Sequence, residues 1–245
     1  MKKDRIFRKN RIPNESFNFG RETAEVFDDM LNRSVPSYSE TQKMIVEIAR
    51  NFVQPKSSIY DLGCSTGATL IGLSAAIPEK TVKIVGMDYS GAMLEKAGKN
   101  LTQAGFGGRC MLKKGDLNEE IKISDASVVI MNLALQFVRP LNRNKLIKTI
   151  YNGLKTNGCF ILVEKVLGEN SFFNRTFINL YYDFKKRQGY SELEIAKKRE
   201  ALENVLIPYR LNENLELLRA NGFKDTDIFF KWYNFCGILA LKLGN

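Results

Sequence analysis

The chain has 245 residues, of which 44% are hydrophobic and 26% are charged, and its formal net charge is +10. This composition is typical of a soluble globular protein with one substantial core, and no apolar run approaches the ~20 residues of a membrane span. Histidine is absent and the four cysteines lie far apart, which argues against a metal site and excludes histidine-based triads.

The basic residues are dispersed along the chain, with acidic residues among them, as in MKKDRIFRKNR and DFKKRQ. This dispersal favours solvated lysines, although a basic protein can also bind nucleic acid. The basic N-terminal segment is not followed by an apolar segment, so we expect no secretory signal. We therefore expect a cytoplasmic protein with reduced cysteines.

In chain order, a polar arm at residues 1–20 precedes two predicted helices, TAEVFDDMLN and TQKMIVEIARNFV, the second capped by Ser39. Five predicted strands then alternate with helices: SIYDL, VKIVGMD, CMLKKGD, ASVVIMNLAL and KTNGCFILVEKV. Ser90 is the predicted cap of the helix after the second strand. This alternation predicts a doubly wound, mostly parallel α/β sheet.

Residues 170–222 interrupt the alternation and read as a helical insertion of three helices. The tail KDTDIFFKWYNFCGILALKLG reads as two strands that reverse near Tyr233 and Asn234, which predicts an antiparallel hairpin at the edge of the sheet. A single domain over residues 1–245, with an arm and an insertion, is the simplest organisation.

The segment SSIYDLGCSTGATLIGL joins a strand to a helix through a loop that contains Gly63 and Gly67. Glycines let a ligand approach the backbone, and the N-terminus of the helix adds a favourable dipole. The loop lacks the Lys-Ser/Thr of a phosphate loop, and its spacing is D-x-G-x-x-x-G and not G-x-G-x-x-G. A nucleoside without phosphates fits this pattern.

Polar side chains end the next three strands: Asp88, Asp116 and Asn132. An acid after the second strand can accept both hydroxyls of a ribose, and a carboxylate after the third can read the amino edge of adenine. The alternative is that Asp88 and Asp116 are only cap or turn residues. Their ordered placement at carboxyl ends of parallel strands favours a ligand site.

The loop resembles the S-adenosylmethionine loop of the class I methyltransferase fold, over about residues 40–165 and the terminal hairpin. This resemblance implies a seven-stranded sheet with one antiparallel strand inserted beside its neighbour. It does not by itself name a reaction, because many chemistries share the fold.

Four further segments, VFDDMLNRSVPSYSE, FVQPKSSIYDLGCSTGAT, NLALQFV and DFKKRQGYSELEIAKKREALENVL, together resemble the carboxy-S-adenosyl-L-methionine synthase family. The resemblance implies conversion of S-adenosyl-L-methionine and prephenate to carboxy-S-adenosyl-L-methionine and phenylpyruvate. A second enzyme of the family's pathway uses the product to modify the wobble uridine of tRNA. The resemblance also implies a homodimer, no tight binding of tRNA and no membrane association.

Carried over by motif, the ligand contacts fall on ten residues: Tyr38, Gly63, Cys64, Ser65, Asp88, Tyr89, Asp116, Leu117, Asn132 and Arg199. Tyr89 departs from the family pattern, where a smaller polar residue is usual. Leu133 also departs, because Phe is usual there. Both departures bear on packing around the ligand.

Arg199 is the predicted catalytic residue. The transferred group is a carboxylate, and an arginine binds a carboxylate through paired hydrogen bonds. The aromatic-rich segment SFFNRTFINLYYDF gives the predicted homodimer an interface, unless its rings belong to the monomer's own core or lid.

Two other functions fit part of the pattern. An ordinary methyltransferase acting on tRNA or a small acid would share the cofactor residues, but it would have no new carboxylate for Arg199. An RNA-binding protein that kept the fold would suit the positive charge, but it would not need the complete set of ligand residues.

Overall fold

A seven-stranded mixed sheet forms the centre of the computed structural model, which describes residues 2–8 and 17–244. The strands lie in the order β3-β2-β1-β4-β5-β7-β6. The first five strands in this order are parallel to one another, and β7 is antiparallel to both β5 and β6. Their bounds are β1 (Ser58–Leu62), β2 (Lys83–Asp88), β3 (Cys110–Lys114), β4 (Ala126–Asn132), β5 (Leu154–Lys165), β6 (Asp225–Trp232) and β7 (Phe235–Lys242). This topology confirms the predicted doubly wound sheet with a C-terminal antiparallel hairpin.

Every helix predicted from the sequence pattern is present. They are α1 (Arg21–Ser34), α2 (Tyr38–Phe52), α3 (Ala68–Ala76), α4 (Gly91–Gln103), α5 (Pro140–Gly153), α6 (Ser171–Arg187), α7 (Glu192–Leu202) and α8 (Leu211–Ala220). A short 3₁₀ helix (Leu135–Phe137) follows β4. No helix in the described part of the chain is both long and apolar enough to cross a bilayer.

Strand β4 is apolar from Val128 to Met131 because both of its faces are covered. Val129 and Met131 contribute to the core on one face of the sheet, while Val128 and Ile130 contribute to the core on the other. Helices on both faces bury such a strand completely, which explains its continuous apolar sequence. The strand order reverses between β1 and β4, where open sheets of this kind form a crevice at their carboxyl ends.

The three helices of the predicted insertion have different surroundings. Leu217 and Leu218 of α8 belong to a core on one face of the sheet. The ring of Tyr181 on α6 instead packs against Trp232 and Phe235, with centroid separations of 6.4 and 5.3 Å. Helix α6 therefore packs near the β6–β7 turn and α7 contacts α6, whereas α8 covers the sheet.

Two local expectations need correction. Helix α2 begins at Tyr38, with Ser37 in the left-handed region at φ 52° before it, so Ser39 lies inside the helix and does not cap it. Strand β4 ends at Asn132, because Leu133 is left-handed at φ 59° and turns the chain out of the sheet. The predicted cap of α4 is confirmed, since Ser90 Oγ accepts a hydrogen bond from Met93 N at 3.2 Å.

The described part of the N-terminal arm is held by specific contacts. Asp4 N donates to Asp29 Oδ2 at 2.7 Å, and the Tyr190 hydroxyl donates to Asp4 Oδ2 at 2.6 Å. Phe17 N donates to the carbonyl of Ala201 at 2.8 Å. These residues are thus joined to α1 and to the insertion, in contrast to the loosely held arm that we expected. Residue 1 and residues 9–16 lie outside the described part of the chain.

Candidate functional site

The glycine loop after β1 requires both of its glycines. Gly63 and Gly67 have φ values of 80° and 85°, in the left-handed region that glycine adopts without strain. A Cβ on Gly63 would lie 2.7 Å from the Cβ of Ala134, in the segment after β4. The loop therefore approaches this segment too closely for any other residue, and α3 begins directly after Gly67.

Asp88 connects the end of β2 to this loop. Its Oδ2 accepts a hydrogen bond from Ser65 N at 3.0 Å, and its Oδ1 accepts one from Ser90 N at 2.9 Å. Burial raises the pKa of the Asp88 carboxyl, and these backbone donors act in the opposite direction. Because a carboxylate offers about four lone-pair sites, acceptor capacity remains for a ribose hydroxyl.

Asp116 lies in the turn after β3 and is exposed. Its Oδ1 accepts hydrogen bonds from the backbone N and the side-chain Nδ2 of Asn118, at 2.8 and 3.1 Å. These two bonds fix the orientation of the carboxylate at the edge of the crevice. An oriented carboxylate at this position suits recognition of an exocyclic amino group.

One cavity of about 520 Å³ brings all of the predicted site residues together. Its volume is within the ~300–1,000 Å³ of typical small-molecule sites. The predicted residues in its wall are Tyr38, Gly63, Cys64, Ser65, Asp88, Tyr89, Asp116, Leu117, Asn132 and Arg199. They come from the glycine loop, the ends of β2 and β4, the turn after β3, and two helices. The structure thus places in one wall residues that are 161 positions apart in the sequence, from Tyr38 to Arg199.

Arg199 reaches this wall from α7. A hydrogen bond with Tyr182 of α6 raises the pKa of its guanidinium, and the carboxylate of Glu200 lies 4.0 Å away. The side chain is 60% exposed, so its donors remain accessible to a ligand. Tyr182 also belongs to the cavity wall, so its contact with Arg199 keeps the guanidinium beside that wall.

Three lysines in the same wall were not predicted from the sequence. Lys165 ends β5, Lys185 lies on α6 and Lys198 lies on α7. The helical spacing of the sequence could have indicated two of them. Lys185 follows buried Tyr181 by four positions and Lys198 follows buried Ile195 by three, so each lies on the buried side of its helix.

A buried carboxylate supports the segment that follows β4. Glu164 is 3% exposed, and its two oxygens accept hydrogen bonds from Leu135 N at 2.9 Å and Gln136 N at 2.8 Å. Arg143 supports the same segment from the other side, because its Nε donates to the carbonyl of Val138 at 2.9 Å. These bonds fix the backbone opposite the glycine loop.

The residues in the wall fit S-adenosylmethionine by their chemistry. Asp88 and Asp116 offer acceptors to a ribose and an adenine, and the close contact of Gly63 with Ala134 leaves backbone facing the cavity. Among the described residues there is no group of three or more metal-ligating side chains. The wall therefore suits a ligand with an uncharged nucleoside at Asp88 and Asp116 and an anionic group near Arg199.

Comparison with curated proteins covers the whole chain. It is 54% identical over 242 residues to the carboxy-S-adenosyl-L-methionine synthase of Methylococcus capsulatus, with 99% of this chain and all of that protein aligned. The synthase of the same name from Nautilia profundicola is 45% identical over 239 residues, which cover 98% and 99% of the two chains.

The chain belongs to the carboxy-S-adenosyl-L-methionine synthase family. It is therefore an enzyme of that family, as the motifs predicted. A family model described as a methyltransferase domain also matches residues 59–158, which run from β1 into β5.

Solved structures confirm the fold of this synthase-family chain. An O-methyltransferase family protein from Burkholderia thailandensis superimposes with a TM-score of 0.68 at 15% identity, over 98% of this chain and 67% of that one. An S-adenosyl-L-methionine-dependent methyltransferase assigned by similarity in Methanococcus maripaludis gives 0.61 at 19% identity, over 96% and 99%. At these identities the likeness shows the class I methyltransferase fold alone.

The two departures from the synthase pattern lie in the cavity wall. Tyr89 is 50% exposed, and its ring meets Phe19 of the arm edge to face at 6.0 Å. Leu133 is the left-handed residue that ends β4, and its N donates to the carbonyl of Val163 at 2.7 Å. Tyr89 thus packs under the arm, and Leu133 keeps its backbone contact with β5.

Proposed function

We propose that the chain converts S-adenosyl-L-methionine and prephenate to carboxy-S-adenosyl-L-methionine and phenylpyruvate. The observation that carries this proposal is the position of Arg199, in the wall of the cavity that also contains the glycine loop and Asp88. S-adenosyl-L-methionine used as a plain methyl donor has only its amino-acid carboxylate and lacks the additional carboxylate on the methyl carbon that this arginine would bind. The full-length likeness to synthases of that name supports the same reaction.

The reaction balances without a further reactant. Prephenate loses its ring carboxyl group as carbon dioxide and its ring hydroxyl group, which gives aromatic phenylpyruvate. The methyl carbon next to the sulfonium loses a proton and forms a bond to the carbon of the carbon dioxide. The methyl proton and the ring hydroxyl group leave together as water.

The residues of the chain would bind and orient the two substrates. Asp88 would accept hydrogen bonds from the ribose hydroxyls, and Asp116 would accept a hydrogen bond from the adenine amino group. Arg199 would pair with the transferred carboxylate, whose charge it neutralises near the sulfonium. Because these groups lie in one wall, binding would hold the methyl carbon close to the carboxyl donor. The reaction between the two substrates then becomes effectively unimolecular.

We propose further that the product is the donor for formation of uridine 5-oxyacetic acid at the tRNA wobble position, by another enzyme in the cytoplasm. This chain would hand on a small molecule and would not bind tRNA tightly. Its basic residues are dispersed, and several are occupied by ion pairs with acids, such as Lys99 with Glu95 and Lys186 with Glu192.

We propose also that the chain forms a homodimer. Phe172 and Phe173 of α6 are 74% and 49% exposed. Phe173 stacks on Phe177, whose ring in turn stacks on Tyr233 at 5.6 Å, so the exposed rings continue an aromatic surface. A partner would cover this surface, which is unusual on a monomer.

The experiment is mass spectrometry of the reaction products. Purified chain is incubated with S-adenosyl-L-methionine, with and without prephenate, and the nucleoside fraction is analysed. We expect a product that is heavier than the substrate by the mass of carbon dioxide and that forms only with prephenate, together with phenylpyruvate. Formation of S-adenosylhomocysteine with a methylated acceptor would instead support the plain methyltransferase.

A further inference from the structure

Three lysine side chains converge on one side of the cavity. The ammonium groups of Lys165 and Lys185 lie 5.2 and 4.3 Å from the ring centroid of Tyr181. Lys198 Nζ lies 5.8 Å from the ring of Tyr190 and donates to Ser34 Oγ at 3.0 Å. A strand end and two helices thus direct three cations toward the same region.

The cluster formed by Lys165, Lys185 and Lys198 has little anionic compensation. None of the three forms an ion pair with a carboxylate in the described residues. Glu164 is the chain neighbour of Lys165, but its oxygens accept backbone N–H groups of the segment after β4. Asp4 is the carboxylate that favours the charged form of Lys198, and it also accepts the hydroxyl of Tyr190.

Burial of the cluster is energetically unfavourable for the charged lysines. It lowers the pKa of Lys165 and of Lys198 to about 8, and it lowers the pKa of Lys185 well below its usual value. Repulsion from neighbouring lysines acts in the same direction on Lys185 and Lys198. Buried charges are retained in proteins mainly where they are paired or have a function. A bound anion would supply the missing partner.

The lysine cluster and the nucleoside residues lie in different parts of the same cavity, because they follow strands at different positions in the sheet. Asp88 and Asp116 lie at the ends of β2 and β3, on one side of β1. Lys165 ends β5, on the far side of β4. Lys185 comes from α6, which packs near the β6–β7 turn, and Lys198 comes from α7, which contacts α6. An anion at the cluster would therefore lie beside the nucleoside and would not overlap it.

We infer that the lysine cluster is a subsite for a carboxylate of a small dicarboxylic acid, which binds on the β4–β5 side of the cavity. Together with Arg199 the cluster supplies up to four positive charges, more than one carboxylate neutralises. The identity of the acid as prephenate rests on the proposed function, whereas its chemical class rests on the lysines.

The experiment measures binding without turnover. S-Adenosylhomocysteine, which carries no transferable methyl group, is bound first, and the chain is titrated calorimetrically with prephenate, benzylmalonate, phenylacetate and inorganic phosphate. We expect both dicarboxylates to bind more tightly than the monocarboxylate and the phosphate. Stronger binding of phosphate or equal binding of phenylacetate would overturn the inference.

Single substitutions locate the subsite. Lys165→Met, Lys185→Met and Lys198→Gln should each weaken dicarboxylate binding by about tenfold to a hundredfold, as expected for loss of one charge-assisted contact. S-Adenosylhomocysteine binding should stay within about twofold, which also shows that each variant is folded. Lys186→Met is the matched control, because this neighbour on α6 is exposed and pairs with Glu192 at 2.6 Å.

The outcomes separate this inference from the proposed function. If wild-type chain forms the carboxylated product and the KM for prephenate is unchanged in all three variants, the inference is wrong and the function stands. If no product forms but dicarboxylates bind through the lysines, the subsite stands and the reaction is wrong. If the three substitutions weaken the binding of the dicarboxylate and of S-adenosylhomocysteine equally, the lysines support the cavity as a whole and the subsite is wrong.

Discussion

Asp88 at the end of β2 accepts a hydrogen bond from the backbone N of Ser65 at 3.0 Å, and this bond holds the glycine loop against the neighbouring strand. The same carboxylate faces the cavity. We therefore expect Asp88 to have two roles, one in the loop and one in ligand binding, which substitutions can separate.

Asp88→Ala should weaken S-adenosyl-L-methionine binding by about 1.5–3 kcal/mol, the range for hydrogen bonds to a charged group. Asp88→Asn keeps one acceptor for Ser65 N and should lose less. Calorimetric titration measures both, with Asp225→Ala on the exposed start of β6 as control. Unchanged affinity in the alanine variant would remove Asp88 from the ligand site.

Arg199→Ala should retain most of its affinity for S-adenosyl-L-methionine and lose about tenfold to a hundredfold for carboxy-S-adenosyl-L-methionine, since only the product carries the extra carboxylate. Arg199→Lys should restore part of the loss, because an ammonium cannot form the paired contact. Paired titrations with both ligands test this. Arg219→Ala, at the exposed end of α8, is the control, and equal weakening of both ligands would refute the role.

Dicarboxylate binding should weaken as the pH rises from 7 to 9. Lys165 and Lys198 have a pKa of about 8, so they lose their protons in this interval, and only the ammonium form attracts an anion. The charged or titratable groups around them are Asp4, Arg33, Tyr181, Lys185 and Tyr190.

The expected sign is proton uptake on binding near pH 8, because a bound carboxylate favours the charged lysines. Calorimetry in two buffers of different ionisation enthalpy measures it. Lys165→Met and Lys198→Gln should each reduce the uptake, whereas Lys186→Met should leave it intact. Proton release on binding would contradict the prediction.

The proposed homodimer should dissociate when the exposed phenylalanine side chains of α6 are replaced by polar ones. Phe172→Ser combined with Phe173→Ser removes apolar surface from the proposed interface, so multi-angle light scattering should show a monomer at micromolar concentration. Leu141→Ser is the matched control, because Leu141 is 95% exposed on α5 and lies outside this surface. A wild-type chain that is monomeric throughout this range would refute the homodimer.

No tight complex with tRNA is expected at physiological salt. Filter binding with labelled tRNA measures this directly. Sub-micromolar affinity would favour one of the RNA-directed alternatives over the synthase, because phosphate contacts from a continuous basic surface would then be required.

The sequence pattern identified the residues whose position follows from local structure. Gly63, Asp88 and Asn132 lie at or directly after strand ends, and parallel strands bring such residues to one edge of a sheet. The roles carried over by resemblance, including that of Arg199, remain predictions even though the residues share a cavity.

Tertiary packing decided what the pattern did not predict. Lys165, Lys185 and Lys198 lie on three different elements, 20 and 13 positions apart in the sequence, and only the packing of α6 and α7 brings their side chains to one cavity wall. Leu133 is apolar like the strand before it, and nothing in its sequence neighbourhood signals the left-handed turn that ends β4. In both cases the decisive contacts are distant in the chain.

The reversal of the strand order between β1 and β4 has a consequence for how enzymes of this kind can change their substrate. The residues proposed to hold the nucleoside belong mainly to the first half of the chain, whereas the lysine cluster and Arg199 come from β5 and the insertion. Exchange of the segment between β5 and α8 would therefore alter which acid is accepted while the nucleoside contacts remain. An enzyme of this architecture could thus evolve to use a different acid while the residues proposed to bind adenosine stay unchanged.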